Sequence, residues 1–198
     1  MCCSPAAWGE LFGPSPQGSG RGVTDALLQI CRAAGVGLDV PELDGLCCAT
    51  PWASKGHADG ARVMARRSFE VLWAATRQGK LPVVADAASC THGLAELSHW
   101  LDGEDAERWR GVTVLDATSF VARECLPRLQ LERHGTVVVH PTCSMVHLGC
   151  TEDAIACAAA CAKQVEVPVE WGCCGFAGDR GMLHPELTAS ATHRHLAT

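Results

Sequence analysis

Two of the adjacent cysteine pairs in the chain each lie a few residues after a Val-Pro dipeptide. Val40-Pro41 precedes Cys47-Cys48, and Val167-Pro168 precedes Cys173-Cys174. Adjacent cysteines do not easily bond to each other, whereas two thiolates on one tight turn can both bind a metal-sulfur cluster. A pair duplicated in the same context also predicts a chain built from two related halves.

Short apolar segments alternate with amphipathic segments along the chain. Apolar spacing and stop signals predict helices over residues 24–34, 58–77, 119–126, 151–162 and 184–196. Apolar runs predict strands over residues 38–40, 81–85, 112–115, 137–139 and 165–167. Residues 1–22 are rich in Gly, Pro and Ser, which predicts a loop before the first helix. The alternation predicts an α/β fold of two pseudo-repeated Rossmann-like lobes, each with a short, mainly parallel sheet and flanking helices.

A cluster of charged residues over 101–110 divides the chain. We place the first cysteine-rich lobe at residues 1–110 and the second at residues 111–198, so that each lobe carries one cysteine pair. Two pseudo-equivalent lobes are the simplest arrangement that follows from the repeat.

Single cysteines follow predicted strands and can join the pairs at the carboxyl ends of the strands, where open α/β sheets place ligands. The candidate ligands of the first lobe are Cys47, Cys48 and Cys90, with Cys2 or Cys3 arriving from the N-terminal loop. Those of the second lobe are Cys143, Cys173 and Cys174. Each set could converge on one cluster although its members are far apart in sequence.

The remaining cysteines and the histidines have simpler interpretations. Four cysteines on predicted helices indicate core packing: Cys31, Cys125, Cys157 and Cys161. The residues of a rival zinc knuckle would be His140, Cys143, His147 and Cys150. Surface or helix-capping positions are expected for His57, His92 and His184.

Charge and cysteine content exclude several classes of function. A net charge of -6 without a basic run argues against a nucleic-acid partner. No apolar stretch approaches the roughly 20 residues that span a bilayer, so we expect a cytoplasmic protein without a transmembrane segment. Thirteen cysteines in a reducing compartment indicate metal binding or redox chemistry. Lys55 and Arg180 follow the two pairs, and a cation there would stabilise the reduced form of a bound cluster. Thiol-disulfide catalysis within a pair ranks lowest, because a vicinal disulfide is strained.

Three segments resemble a known family. They are residues 45–56, residues 140–144 and residues 173–188, of which the last is the most specific. They are similar to the C-terminal cysteine-rich, CCG-type region of FAD- and iron-sulfur-dependent D-lactate dehydrogenases. Related domains occur in the glycolate oxidase iron-sulfur subunit and in the cysteine-rich subunit of heterodisulfide reductase, where such motifs bind noncubane [4Fe-4S] clusters.

The resemblance implies an iron-sulfur electron-transfer module, a separated or truncated C-terminal part of an FAD-linked D-lactate or 2-hydroxy-acid dehydrogenase. It implies a [4Fe-4S] cluster on the chain, FAD only in a partner flavoprotein, and a ferredoxin-type iron-sulfur partner. A quinone or cytochrome would accept the electrons, and the module could lie at the inner membrane through a partner. By itself it would be a non-autonomous redox component. The alternative is a structural zinc-binding or cysteine-rich scaffold protein without redox activity.

One of the departures from the family pattern lies at the first cysteine pair. The first pair continues with Ala49, where the family usually has glycine. Alanine has less freedom than glycine to adopt a positive φ. We therefore expect the backbone of the first turn to adopt a positive φ less readily than that of the second turn, where Gly175 follows the pair.

Overall fold

The computed structural model describes residues 1–4, 22–169, 171–176, 178 and 180–193. The chain divides into two compact units, Met1–Leu129 and Gln130–Thr198. The boundary expected from the charged cluster, between residues 110 and 111, falls earlier than this division. The reason is that Val114–Asp116 is a strand of the first sheet, so the first unit continues beyond residue 110.

The first unit contains a parallel sheet of three short strands. These are β1 (Cys2–Ser4), β2 (Val83–Ala85) and β3 (Val114–Asp116), with β2 in the centre. Strand β1 corrects the expectation of a loop for Cys2–Ser4, because Cys2 pairs with Val83 in a regular parallel register. The Gly- and Pro-rich composition that predicted the loop comes from residues outside the described part of the chain. The strand expected over 38–40 is reduced to a bridge between Cys2 and Asp39.

Helices cover both faces of this sheet. They are α1 (Val23–Ala33), α2 (Thr50–Ser54), α3 (Ala58–Ala75), α4 (Ala88–Ala95), α5 (Gly103–Arg110) and α6 (Ala117–Phe120). Helix α6 continues into a π-helical turn, Val121–Cys125, and two 3-10 turns occupy Leu97–Trp100 and Leu126–Arg128. The charged segment that suggested a lobe boundary is mostly α5, whose Trp109 is buried.

Two apolar clusters hold the first unit together, one on each face of the sheet. Val83 and Ala85 belong to the cluster that contains Phe69 and Trp109. Val84 belongs to the other cluster, which contains Phe120. Successive residues of a strand point to opposite faces, so the fully apolar strand β2 serves both cores, as expected for a parallel sheet covered on both sides.

The second unit contains a parallel sheet of two strands, β4 (Thr136–Val138) and β5 (Gln164–Glu166). Helices α7 (Cys143–Leu148) and α8 (Thr151–Cys161) connect the strands. Helices α9 (Arg180–Leu183) and α10 (Pro185–Thr192) follow the second cysteine pair. The end of the helix predicted over 184–196 lies outside the described residues.

Strands that alternate with helices, in parallel sheets, confirm the predicted α/β class. Among the residues that the structure describes, no helix has the length and apolar character needed to cross a membrane.

Candidate metal centre

The first cysteine pair lies on a tight turn that leads into helix α2. Ala49, the residue after the pair, has φ 64° and ψ -12°, which is the left-handed conformation. Its backbone N–H donates to the sulfur of Cys47. The hydroxyl of Ser68 on α3 donates to the carbonyl of Cys47 at 2.9 Å. The turn therefore adopts the left-handed backbone that a glycine would adopt freely, although the residue here is alanine.

Cys90 approaches this turn from the carboxyl end of the sheet. Strand β2 ends at Ala85, and Cys90 is the third residue of α4. The thiol of Cys90 donates a hydrogen bond to the sulfur of Cys48. The structure thus brings together two of the cysteines that the sequence predicted as ligands, across 42 residues of chain.

Gly93 explains how closely helix α4 approaches the turn. A Cβ at this position would lie 2.1 Å from Oγ1 of Thr50 and 3.1 Å from both Cβ and the carbonyl oxygen of Cys48. Any side chain would push the helix away from the cysteine pair. Sequence reasoning missed this residue, since a glycine inside a helix is a weak signal until its neighbour is known.

The two sulfurs have opposite electrostatic environments. The hydrogen bond from Cys90, together with bonds to the hydroxyl and backbone N–H of Thr50, holds the pKa of Cys48 below its ordinary range, although burial opposes this. The hydrogen bond to Cys48 and burial raise the pKa of Cys90, and Asp86 and Cys47 raise it further. Burial raises the pKa of Cys47. The first proton therefore leaves the Cys48–Cys90 pair easily, and the second leaves only with difficulty.

Polar side chains at the end of the sheet fix helix α4. The hydroxyl of Thr91 donates to the buried carboxylate of Asp116 at 3.1 Å. The indole N–H of Trp109 donates to the carbonyl of Leu94 at 2.7 Å. Because these hydrogen bonds are buried and join helix α4 to other elements, they orient the helix that carries Cys90.

The second unit repeats part of this geometry. Cys143 is the first residue of α7, and Thr142 caps the helix by accepting from the N–H of Met145 at 3.2 Å. A hydrogen bond to Cys173 raises the pKa of Cys143, with further contributions from burial and from Cys173 and Cys174. Three cysteines predicted from the sequence therefore interact here as well.

The two cysteine turns share their backbone geometry. Gly175, which follows the second pair, has φ 68°, and its N–H donates to the sulfur of Cys173 at 3.4 Å. Ala49 bonds to Cys47 in the same way. In both units the first cysteine of the pair thus accepts a hydrogen bond from the residue that follows the pair.

The segment after the second pair packs closely on helix α10. A Cβ at Gly175 would lie 2.7 Å from the carbonyl oxygen of Leu187, and one at Gly181 would lie 2.4 Å from the ring of Phe176. The N–H of Gly181 also donates to the carbonyl of Phe176 at 2.8 Å. Gly175 and Gly181 therefore leave the room that this close packing needs, because a side chain at either position would overlap a neighbouring group.

Other predicted residues have mixed outcomes. Cys2 is buried in β1, and burial raises its pKa to about 11, while the side chain of Cys3 lies outside the described residues. Cys31 and Cys125 are buried in the second apolar cluster, which confirms their core role. Cys157 is half-buried and Cys161 is exposed, so the core role is wrong for Cys161 at the end of α8.

The predicted cations and histidines lie at surface positions or helix ends. Lys55 follows α2, and Arg180 begins α9; both are exposed. His57 precedes α3, and His184 precedes α10, where its Nδ1 lies 3.1 Å from a carboxylate oxygen of Glu186. His92 is half-buried on α4.

The residues of the rival zinc knuckle do not converge in the part of the chain that is described. His140 packs edge-on against Trp171, with ring centroids 6.4 Å apart, and the thiol of buried Cys150 donates to the carbonyl of Met145. No group of three or more His, Cys, Asp or Glu side chains among the described residues is arranged to hold a single metal ion.

The first unit is thus an α/β unit that holds an adjacent cysteine pair and a third cysteine near the carboxyl end of a parallel strand. Residues 16–95 match the CCG cysteine-rich domain family, which confirms the resemblance to a CCG-type region for this part of the chain. The match includes Cys47, Cys48 and Cys90, and it does not extend to residues 173–188, the segment that the sequence analysis ranked as most specific.

The chain is also similar to a curated protein, "Lactate utilization protein A 1" of Bacillus mycoides (strain KBAB4). The two are 24% identical over 171 residues, which cover 82% of this chain and 67% of the relative. No solved structure matches the chain.

Proposed function

We propose that the chain is an iron-sulfur electron-transfer module. The observation that carries this proposal is the approach of Cys47, Cys48 and Cys90 at one end of the first sheet, where a CCG-type domain is matched. Cys143, Cys173 and Cys174 form a second candidate set. These six cysteines are the proposed ligands.

The donor set fits an iron-sulfur cluster better than a single ion. A structural zinc ion needs four side chains that converge on one point, and the described residues do not provide such a group. A cluster contains several iron atoms, so its cysteine ligands need not converge on a single atom. Thiolates are the usual ligands of these clusters, and the lowered pKa of Cys48 favours the thiolate form. When bound, the cluster would supply one-electron redox chemistry at iron.

The polypeptide would tune that chemistry through its backbone and charges. The turn directs the N–H groups of Ala49 and Gly175 to cysteine sulfurs, and such hydrogen bonds raise the reduction potential of a bound cluster. Lys55 and Arg180, each a few residues after a pair, would stabilise the added negative charge of the reduced state. We propose the cluster type as [4Fe-4S], in a noncubane form.

The electrons would come from a partner. The name of the relative concerns lactate utilization, which supports a partner that oxidises lactate or another 2-hydroxy acid. We propose that a flavoprotein with FAD, helped by a ferredoxin-type iron-sulfur protein, delivers electrons to this chain. A quinone or cytochrome would then receive them, in the cytoplasm or at the inner face of the membrane through a partner.

Anaerobic reconstitution of the full chain with iron and sulfide tests the proposal. We expect bound iron and sulfide, visible absorption, and an EPR signal after reduction with dithionite. Cys48→Ser should remove the iron of the first unit, whereas Cys161→Ser, an exposed cysteine outside both sets, should leave iron content unchanged. A protein that binds only zinc, or that binds iron equally well without the six cysteines, would refute the proposal.

A further inference from the structure

Cys48 and Cys90 form a sulfur pair that the sequence did not single out as a unit. Their side chains are hydrogen-bonded to each other, although they belong to different elements of the first unit. Cys48 is 7% exposed, and Cys90 is more accessible. Sulfurs in hydrogen-bond contact need only small side-chain rotations to come within bonding distance.

The backbone supports the same pairing. A Cβ built at Gly93 lies 3.1 Å from Cβ of Cys48, and Cys90 precedes Gly93 by three residues on the same helix. Residues three apart share a helix face, so Cys48 lies against the face that carries Cys90. The helix face that carries Cys90 therefore packs directly against Cys48, as a disulfide between the two residues requires.

The neighbouring Cys47 is a poorer partner for Cys48. Its sulfur accepts the N–H of Ala49, and its carbonyl accepts the hydroxyl of Ser68 at 2.9 Å. A bond between adjacent cysteines would also distort the turn that these hydrogen bonds hold.

We propose that, in the metal-free chain, Cys48 and Cys90 form a reversible disulfide when a hydroperoxide is the oxidant. One sulfur attacks the peroxide and becomes a sulfenic acid. With hydrogen peroxide as the oxidant, this attack releases one water. The other sulfur displaces the hydroxyl group as a second water. Two thiols lose two electrons and two protons in total, and one hydrogen peroxide becomes two waters.

The bond would close the first candidate site, because it uses two of its three cysteines. Iron could enter only after a dithiol reductant reopened the bond. This inference goes beyond electron transfer and concerns the metal-free protein, so it does not need the proposed cluster to form.

The test uses the full chain, reduced and freed of metal, then exposed to one equivalent of hydrogen peroxide. After alkylation and digestion, mass spectrometry should show a main cross-link between Cys48 and Cys90, a loss of two hydrogens, and reversal by dithiothreitol. Cys47→Ser should keep this cross-link, and Cys90→Ser should abolish it. A main product that joins Cys47 to Cys48 or Cys31 to Cys125, or that stops at sulfinic acid, would overturn the proposal.

Two measurements separate this proposal from the proposed function. If the reduced protein takes up no iron but forms the Cys48–Cys90 bond, the electron-transfer function fails and the disulfide stands. If it takes up iron but cross-links elsewhere, the disulfide fails alone. The wild-type cross-link map decides the pairing even if Cys90→Ser does not fold.

Discussion

Gly93→Ala is the sharpest test of how helix α4 meets the first cysteine turn. Alanine stabilises a helix relative to glycine by about 1 kcal/mol, and this gain alone would make the variant more stable. The added Cβ, however, would lie 2.1 Å from Oγ1 of Thr50 and 3.1 Å from the carbonyl oxygen of Cys48. Overpacking of this kind costs about 1–3 kcal/mol, so after the gain in helix propensity we expect a net loss of up to about 2 kcal/mol in the free energy of unfolding.

Urea denaturation of Gly93→Ala, Thr50→Ala and the double variant measures this effect. Removing Oγ1 of Thr50 relieves the shortest overlap, so Gly93→Ala should cost about 1 kcal/mol less in the Thr50→Ala background, roughly the coupling expected for contacting residues. The variant should also reduce iron uptake by the first unit, because the turn and Cys90 move apart. An increase in stability of about 1 kcal/mol, with no coupling to Thr50, would show that the helix does not pack on the turn as described.

Three further predictions probe the sites. Gly175→Ala should destabilise the second turn by about 2–4 kcal/mol, because it combines a positive φ with overlap on α10, and hydrogen exchange of the following segment measures the effect. Ala49→Gly relieves the positive φ of the first turn and should change the free energy of unfolding by less than about 1 kcal/mol. Equal costs for the two variants would refute the argument. Trp109→Phe should lower stability by about 1–3 kcal/mol in urea denaturation, because the buried carbonyl of Leu94 loses its donor, and an unchanged midpoint would contradict the bond. In a pH titration of the metal-free protein, ultraviolet thiolate absorbance should show that one thiol loses its proton below the ordinary thiol pKa of about 8.5, because Cys90 stabilises the Cys48 thiolate. Cys48→Ser should remove this early titration step. If the step persists in that variant, it belongs to another cysteine.

The sequence predicted the α/β class and most helices because apolar spacing is a local signal. The helix over 58–77 is α3, and the strand over 81–85 contains β2. Strand β1 was not predicted, because three residues are too few to show the alternation of apolar and polar side chains that indicates a strand. Cys2–Ser4 form a strand because the central strand β2 offers a hydrogen-bonding partner.

The candidate site was predicted in part. Four candidate ligands stand out because adjacent cysteine pairs are uncommon, and Cys90 and Cys143 stand out because they follow predicted strands, so all six could be chosen without a structure. Their supporting residues could not, because Gly93, Thr91 and Asp116 have roles set by neighbours distant in sequence. The left-handed Ala49 shows the same limit, since tertiary contacts impose a backbone that its residue type disfavours.

Strand β2 has a consequence for how this chain tolerates insertions and deletions. Its three residues alternate between the two cores, and only four residues separate Ala85 from Cys90. Loss of one residue within the strand would exchange the side chains that face the two cores, and it would also move α4 along the sheet. The number of residues between this strand and Cys90 therefore fixes the position of Cys90 relative to the cysteine pair. We expect insertions or deletions there to damage the first site more than most single substitutions.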